Sequence, residues 1–175
     1  MKRLLILMLT IAAATSCLKE GRNEFSWSKD IIGTLTTKDV RTGQTVYSTE
    51  TAQAVIEVPD GFTNAVNFHL DNVKFVENMP AVSIVIPDLR FTVYSDTEEE
   101  LYPIGSWVIS QSNVIPTVGG VPYENYKMNS VNGVITDDTV KLTFTLMFDE
   151  IPYEVTFVKD TPIDDDTDLP EKPAE

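Results

Sequence analysis

The chain holds one imidazole and one thiol, and each bounds the chemistry open to it. His69 lies in Val66-Asn67-Phe68-His69-Leu70, where Val66, Phe68 and Leu70 share one face of an alternating segment, so a strand turns the imidazole toward solvent. There is no second histidine, no Gly-x-Ser-x-Gly elbow and no glycine-rich phosphate loop, so no nucleophile is paired with a base. The carboxylate pairs Asp137-Asp138 and Asp149-Glu150 sit in polar stretches between apolar alternations, where acids serve a turn rather than proton transfer. Asp164-Asp165-Asp166-Thr167-Asp168 and Asp96-Thr97-Glu98-Glu99-Glu100 lack the alternating donors, the glycine and the distal glutamate of a calcium loop. The residues therefore point away from an enzyme, and neither a metal nor a cofactor is expected.

The thiol is more informative. Cys17 follows a basic start, Met1-Lys2-Arg3, a run of apolar or small residues from Leu4 to Ala14, and the small residues Ala14-Thr15-Ser16. The run is shorter than the roughly 20 residues of a membrane-spanning helix and matches the core of an export signal. Its end resembles a bacterial lipobox, with Ala14 where leucine is usual; the resemblance implies cleavage before Cys17 and attachment of acyl (palmitate-type) chains to it. The alternative is ordinary cleavage after Ala14, which leaves Cys17 a free thiol. Residues 1–16 are thus read as a lipoprotein-type signal peptide and 17–28 as the lipidated Cys17 with its linker. The outer membrane or cell envelope is the expected location, with the chain facing the periplasm or the surface and the lipid its contact with the membrane.

For binding, the candidate residues are aromatic. Ser112 to Lys127 contains Pro116, Gly119-Gly120 and Pro122 and reads as a long loop, a length uncommon in a compact domain without a purpose. Tyr123 and Tyr126, with Trp107 and also Tyr102, are the candidate rim of a site for a small apolar ligand. The plainer reading is that these rings seal one end of the fold.

The elements that must position these residues are strands. In 175 residues, 42% are hydrophobic and the formal net charge is -14. Residues 1–16 carry +2 and residues 160–175 carry -6, which leaves -10 on 17–159. That balance opposes nucleic acid, whose phosphates require clustered Lys and Arg. Residues 160–175, acidic and proline-containing, read as a disordered tail. Within 29–159, Val140, Leu142, Phe144, Leu146 and Phe148 alternate with polar residues or Met147, and Ile151, Tyr153, Val155 and Phe157 do the same after the doublet Asp149-Glu150, which is the pattern of a hairpin. Strands are also expected at Ile31–Thr37, Ala52–Val58, Val66–Phe75 with a phase slip at Asp71-Asn72, Ile84–Val93 interrupted at Pro87, Leu101–Gln111 and Met128–Ile135. About eight short strands in one domain form a closed barrel or a sandwich, and the short sequential connections favour an up-and-down barrel.

Three stretches, Ile32–Thr36, Val66–Phe75 leading to Val85–Leu89, and Leu142–Thr145 through Ile151–Phe157, resemble the calycin-like β-barrel lipoproteins of Gram-negative bacteria over roughly 29–159. The resemblance implies an eight-stranded, lipocalin-shaped barrel, exported and anchored, with no established activity for the family as a whole. Gly105-Ser106-Trp107 is the sole match to the lipocalin Gly-x-Trp signature and lies mid-chain, so the chain is not read as a true lipocalin. Trp27, just ahead of the first strand, is placed to cap one end. A barrel of this size either fills with side chains or holds one small ligand. Its bulky inward rings favour filling, while Gly33, Ala52 and Ala54 would leave room on one side. Two functions follow: a non-catalytic binding module for a small apolar ligand, or a structural or protein-interaction component of the envelope with a filled barrel.

Overall fold

A computed structural model describes residues 27–59, 64–95, 101–148 and 150–159. The signal segment, Cys17, the acid runs at 96–100 and 164–168 and the tail lie outside the described residues. Eight long strands run in chain order: β1 (Trp27–Asp39), β2 (Thr45–Val58), β3 (Ala65–Val73), β4 (Val82–Val93), β5 (Trp107–Val114), β8 (Met128–Ile135), β9 (Val140–Phe148) and β10 (Ile151–Lys159). Two short ones, β6 (Thr117–Val118) and β7 (Val121–Pro122), and a 3-10 turn at Glu124–Tyr126 lie between β5 and β8.

Each long strand pairs antiparallel with the one before it, and β10 returns to β1 from Thr34↔Val158 to Asp39↔Tyr153. The sheet therefore closes as an eight-stranded up-and-down barrel rather than stacking as a sandwich. The weakest seam is β4–β5, paired only from Phe91↔Ile109 to Val93↔Trp107; farther along, β6 takes the place beside β4 through Ile84↔Val118 and Val85↔Thr117.

Period-two alternation decides which residues face inward. The inner face carries Ile31 and Leu35, Ala52, Ala54 and Ile56, Val66, Phe68 and Leu70, Ile84, Ile86 and Leu89, Ile109, Val131, Leu142, Phe144 and Leu146, and Val155 and Phe157, all buried. The room expected beside Gly33, Ala52 and Ala54 is taken by Phe157. A Cβ on Gly33 would stand 2.6 Å from Phe157 Cζ and 2.5 Å from the Val158 carbonyl oxygen, and the Phe157 ring meets Phe68 edge-on at 5.4 Å. Gly133 repeats the device on the other side of the barrel, where a Cβ would lie 2.7 Å from Leu142 Cδ1. In a tightly curved small barrel, glycine lets the neighbouring strand's side chain lie over the backbone.

The phase slip at Asp71-Asn72 is a bulge: the β3–β4 register shifts between Leu70 and Val73, with Asn72 at φ 51°. Pro87 does not end its strand. The shift beside it is absorbed by Asp88 at φ 51°, a left-handed conformation that Asp and Asn tolerate best after glycine, so β4 continues to Val93. Several expected boundaries need correction. β1 begins at Trp27, which is the first residue of the strand rather than ahead of it, and β3 ends at Val73, short of Phe75. β5 begins at Trp107, because Pro103, Ile104 and Gly105 form a turn in which Ser106 N–H and Oγ both bond the Pro103 carbonyl. β5 also continues to Val114, which shortens the long loop to 115–127. β2 starts at Thr45, seven residues before the expected strand, and its added part is mostly exposed.

Candidate functional site

Strand direction fixes the end of the barrel at which each loop emerges. The 39–45, 73–82, 114–128 and 148–151 connections lie at one end, here the Tyr126 end; the 58–65, 93–107 and 135–140 connections lie at the other, together with the start of β1 and the finish of β10.

This separates the candidate aromatic residues. Trp107 starts β5 at the far end, buried at 5% exposure and stacked on Phe91 at 4.3 Å with 9° between planes. Tyr102 is at that end too, edge-on to Tyr94 at 5.4 Å. With eight residues in β5, about 23 Å of strand lies between Trp107 and the Tyr126 end. Trp107 and Tyr102 are therefore not part of the Tyr123 and Tyr126 rim, and Trp107 seals its own end. Trp27 begins β1 at that end, opposite Val58.

Tyr123 and Tyr126 do come together. The 115–127 segment folds back through Tyr123 N–H to the Pro116 carbonyl at 2.9 Å, and Tyr126 N–H closes the 3-10 turn on the Tyr123 carbonyl at 3.1 Å. Tyr126 is buried at 8%, and its ring touches Phe148 at 6.2 Å, Phe75 at 6.2 Å and Tyr123 at 4.9 Å; Phe75 in turn meets Phe144 of the core at 6.1 Å. Burial raises the phenol pKa of Tyr126, with the nearby Tyr123 phenol adding to it. Tyr126 is thus a plug, as the plainer reading expected, while Tyr123 stands beside it at 40% exposure. The two tyrosines, with Asn125, Met147 and Phe148, line a depression of about 450 Å3. Its polar groups include the Tyr123 hydroxyl and the Asn125 amide, which donates to that hydroxyl at 3.4 Å.

Sequence reasoning missed Asn125, Met147 and Phe148. Met147 occupies a polar-parity position of β9 and is 39% exposed, an apolar side chain on the wet face and the one signal for this site. Phe148, expected inside, is half-buried because β9 passes the rim there. Two other depressions open on outer sheet faces. One of about 460 Å3 is lined by Tyr102, Val108, Ser110, Asn132, Lys141 and Thr143, and one of about 380 Å3 lies around Ile32, Gln53 and Asp71.

His69 points outward as expected, but it has a partner. Its Nε2 is 3.0 Å from Glu57 Oε2, which also accepts from Asn67 Nδ2 at 3.1 Å. These hydrogen bonds, that of Asn67 first, hold the Glu57 carboxyl below its ordinary pKa. Asp137 and Asp138 occupy the β8–β9 turn, where Thr136 Oγ1 accepts from Asp138 N–H at 3.2 Å and Thr139 N–H at 2.9 Å. Glu150, at φ 64°, completes the β9–β10 turn. Among the described residues no three His, Cys, Asp or Glu side chains converge as a metal site would require. Comparison with family models, with curated proteins and with solved structures found no match.

Proposed function

We propose that this chain is a non-catalytic envelope lipoprotein of the calycin-like kind, held to the membrane by acyl chains on Cys17, whose binding takes place on the barrel's outside at the Tyr126 end. The observation that carries this reading is the occupancy of the interior. Phe68, Phe75, Phe144 and Phe157 are each at most 1% exposed, so the place where a lipocalin-shaped barrel would hold its ligand is filled with aromatic rings. Of the outer depressions, the one that gathers aromatic side chains is that of Tyr123, Asn125, Tyr126, Met147 and Phe148. Its volume falls within the range of small-molecule pockets, and flat rings beside a hydroxyl and an amide suit a ligand with an apolar face and a hydrogen-bonding edge.

The test is native mass spectrometry of the chain purified from its own envelope, alongside Tyr123→Ala. A co-purifying small molecule that Tyr123→Ala loses supports the reading. Bare polypeptide, with no shift of the Tyr123 and Tyr126 resonances on addition of envelope lipid extract, overturns it. Mass spectrometry of the mature N-terminus tests the anchor: acylated Cys17 is expected, and an unmodified peptide starting at Thr15 removes the anchor. The same filled interior favours a second reading, an envelope component that works through protein contacts alone.

A further inference from the structure

Among the described residues, half of β2 is paired on one side only. β2 pairs with β1 from Thr45 to Val58 but with β3 only from Gln53 to Glu57. At Asn72, β3 swings away to end opposite Val82 of β4, and β2 runs on without a neighbour on that side. Thr45 to Thr51 is therefore a free strand edge, and among the described residues no strand covers it. Alternate N–H and C=O groups along such an edge are an open template for another strand. One amide is occupied locally, Thr51 N–H bonding Thr49 Oγ1 at 3.4 Å.

Exposed edges are usually blunted by lysine, proline or an inward charge. Thr45-Val46-Tyr47-Ser48-Thr49-Glu50-Thr51 has no lysine and no proline, and its one charge, Glu50, points outward. The hairpin from 36 to 51 also has no net charge: Lys38 and Arg41 offset Asp39 and Glu50 in a chain whose total is -14. Arg41 is tied back onto Asp39, its N–H donating to Oδ1 at 2.8 Å and its Nη2 to Oδ2 at 3.3 Å. At this edge two copies of an acidic barrel meet without charge opposing charge.

We propose that this edge pairs antiparallel with the same edge of a second copy, about a two-fold axis through Ser48, so that one sheet continues across two barrels. In that register Ser48 faces Ser48, Tyr47 faces Thr49 and Val46 faces Glu50. No like charges stand opposite, and the aromatic and threonine pair is one that stabilises sheets. The contact is isologous, as a closed dimer requires. Five residues a side bury less than the roughly 1,200 Å2 of a standard interface, so the pairing is reversible in dilute solution.

Ser48→Cys in the Cys17→Ser chain provides the test, because opposed Cα atoms of an antiparallel pair, about 4.5–5.5 Å apart, lie within disulfide reach. Under mild oxidation a disulfide-linked dimer is expected, whereas Thr92→Cys, exposed on the outer face of β4, stays monomeric. Sedimentation equilibrium of the Cys17→Ser chain should show dimers whose association falls at least tenfold in Ser48→Lys, which sets two cations face to face. Equal cross-linking of Ser48→Cys and Thr92→Cys, a monomer throughout the concentration range, or cross-linking in cells of Ser48→Cys to a different protein would overturn the proposal.

Discussion

Truncating Phe157 to alanine tests the filled barrel most directly. The ring is fully buried, edge-on to Phe68 at 5.4 Å, and lies over the bare backbone of Gly33. Removing a buried Phe side chain costs about 3–5 kcal/mol, the higher values where neighbours cannot collapse into the gap. Collapse is poor here, because Gly33 has no side chain and its β2 partner Ala52, like Ala54 one alternation on, has only a methyl. A loss of about 4 kcal/mol is expected, a large part of the ~5–15 kcal/mol that holds a typical domain folded. In a urea titration followed by far-UV circular dichroism, with a slope of about 2 kcal/mol per molar, the midpoint of Phe157→Ala falls by about 2 M at unchanged slope. The new space is apolar, so a benzene-sized solute should raise the midpoint of the variant and leave the parent unaffected. A midpoint loss below about 0.5 M at unchanged slope, a cost well under 2 kcal/mol, would refute the reasoning. It would mean that the interior has slack and that the ring is not what fills it.

Gly33→Ala should cost about 2 kcal/mol or more, because its methyl would meet both the Phe157 ring and the Val158 carbonyl oxygen, and overpacking typically costs 1–3 kcal/mol; thermal unfolding of Gly33→Ala alone and with Phe157→Leu checks it, the pair recovering only the part owed to the ring. Thr37→Val should stabilise by about 1 kcal/mol, since the Thr37 hydroxyl is fully buried without a partner among the described residues and valine keeps the branched shape; a lower melting temperature would contradict this. Glu57 has a folded-state pKa below its unfolded one, so its contribution is present at neutral pH and fades as pH falls through and below 4.5, where the folded-state group takes up its proton. The stability gap between the parent and Glu57→Gln should therefore narrow on acidification from pH 6 to pH 3, by a modest amount because Glu57 is 43% exposed; a gap independent of pH would refute the pairing.

The hairpin β9–β10 is legible in the sequence because each strand has one buried and one wet face, and a two-residue turn keeps both in phase. The slips at Asp71-Asn72 and Pro87-Asp88 are legible for the same reason, since a bulge reverses parity. Parity says nothing about which end of the barrel a residue occupies. Starting β5 at Leu101 hid that Trp107 and Tyr126 lie a full strand apart, and only the turn bonds of Pro103 and Ser106 place that start correctly. Nor does a small residue reveal what faces it: the space beside Gly33 is decided by Phe157, far along the chain, which reaches it only because β10 closes onto β1. The free half of β2 escaped notice because only Tyr47 and Thr49 on its inner face are half-buried and the rest is exposed, which leaves too weak a hydrophobic period to read.

The two ends of the barrel have different neighbours, and this bears on the proposed anchor. β1 starts and β10 finishes at the Trp107 end, so the proposed lipid on Cys17, ten residues before Trp27, would tether the barrel from that side with a reach of at most about 33–36 Å. The depression at Tyr123 and the free edge at Ser48 both lie at the opposite end, with the length of the barrel between them and the tether. Two copies confined to one membrane, tethered at corresponding ends, meet at a higher effective concentration than in solution, which favours a pairing too small to persist when dilute. Their two-fold axis must then stand along the membrane normal, which the antiparallel pairing permits only if the β2 edges lie close to the membrane plane. The barrels would lean rather than stand upright, and distances from the bilayer to spin labels at Val121 and Ile104, both exposed and at opposite ends, would differ by much less than the roughly 23 Å of a barrel held upright.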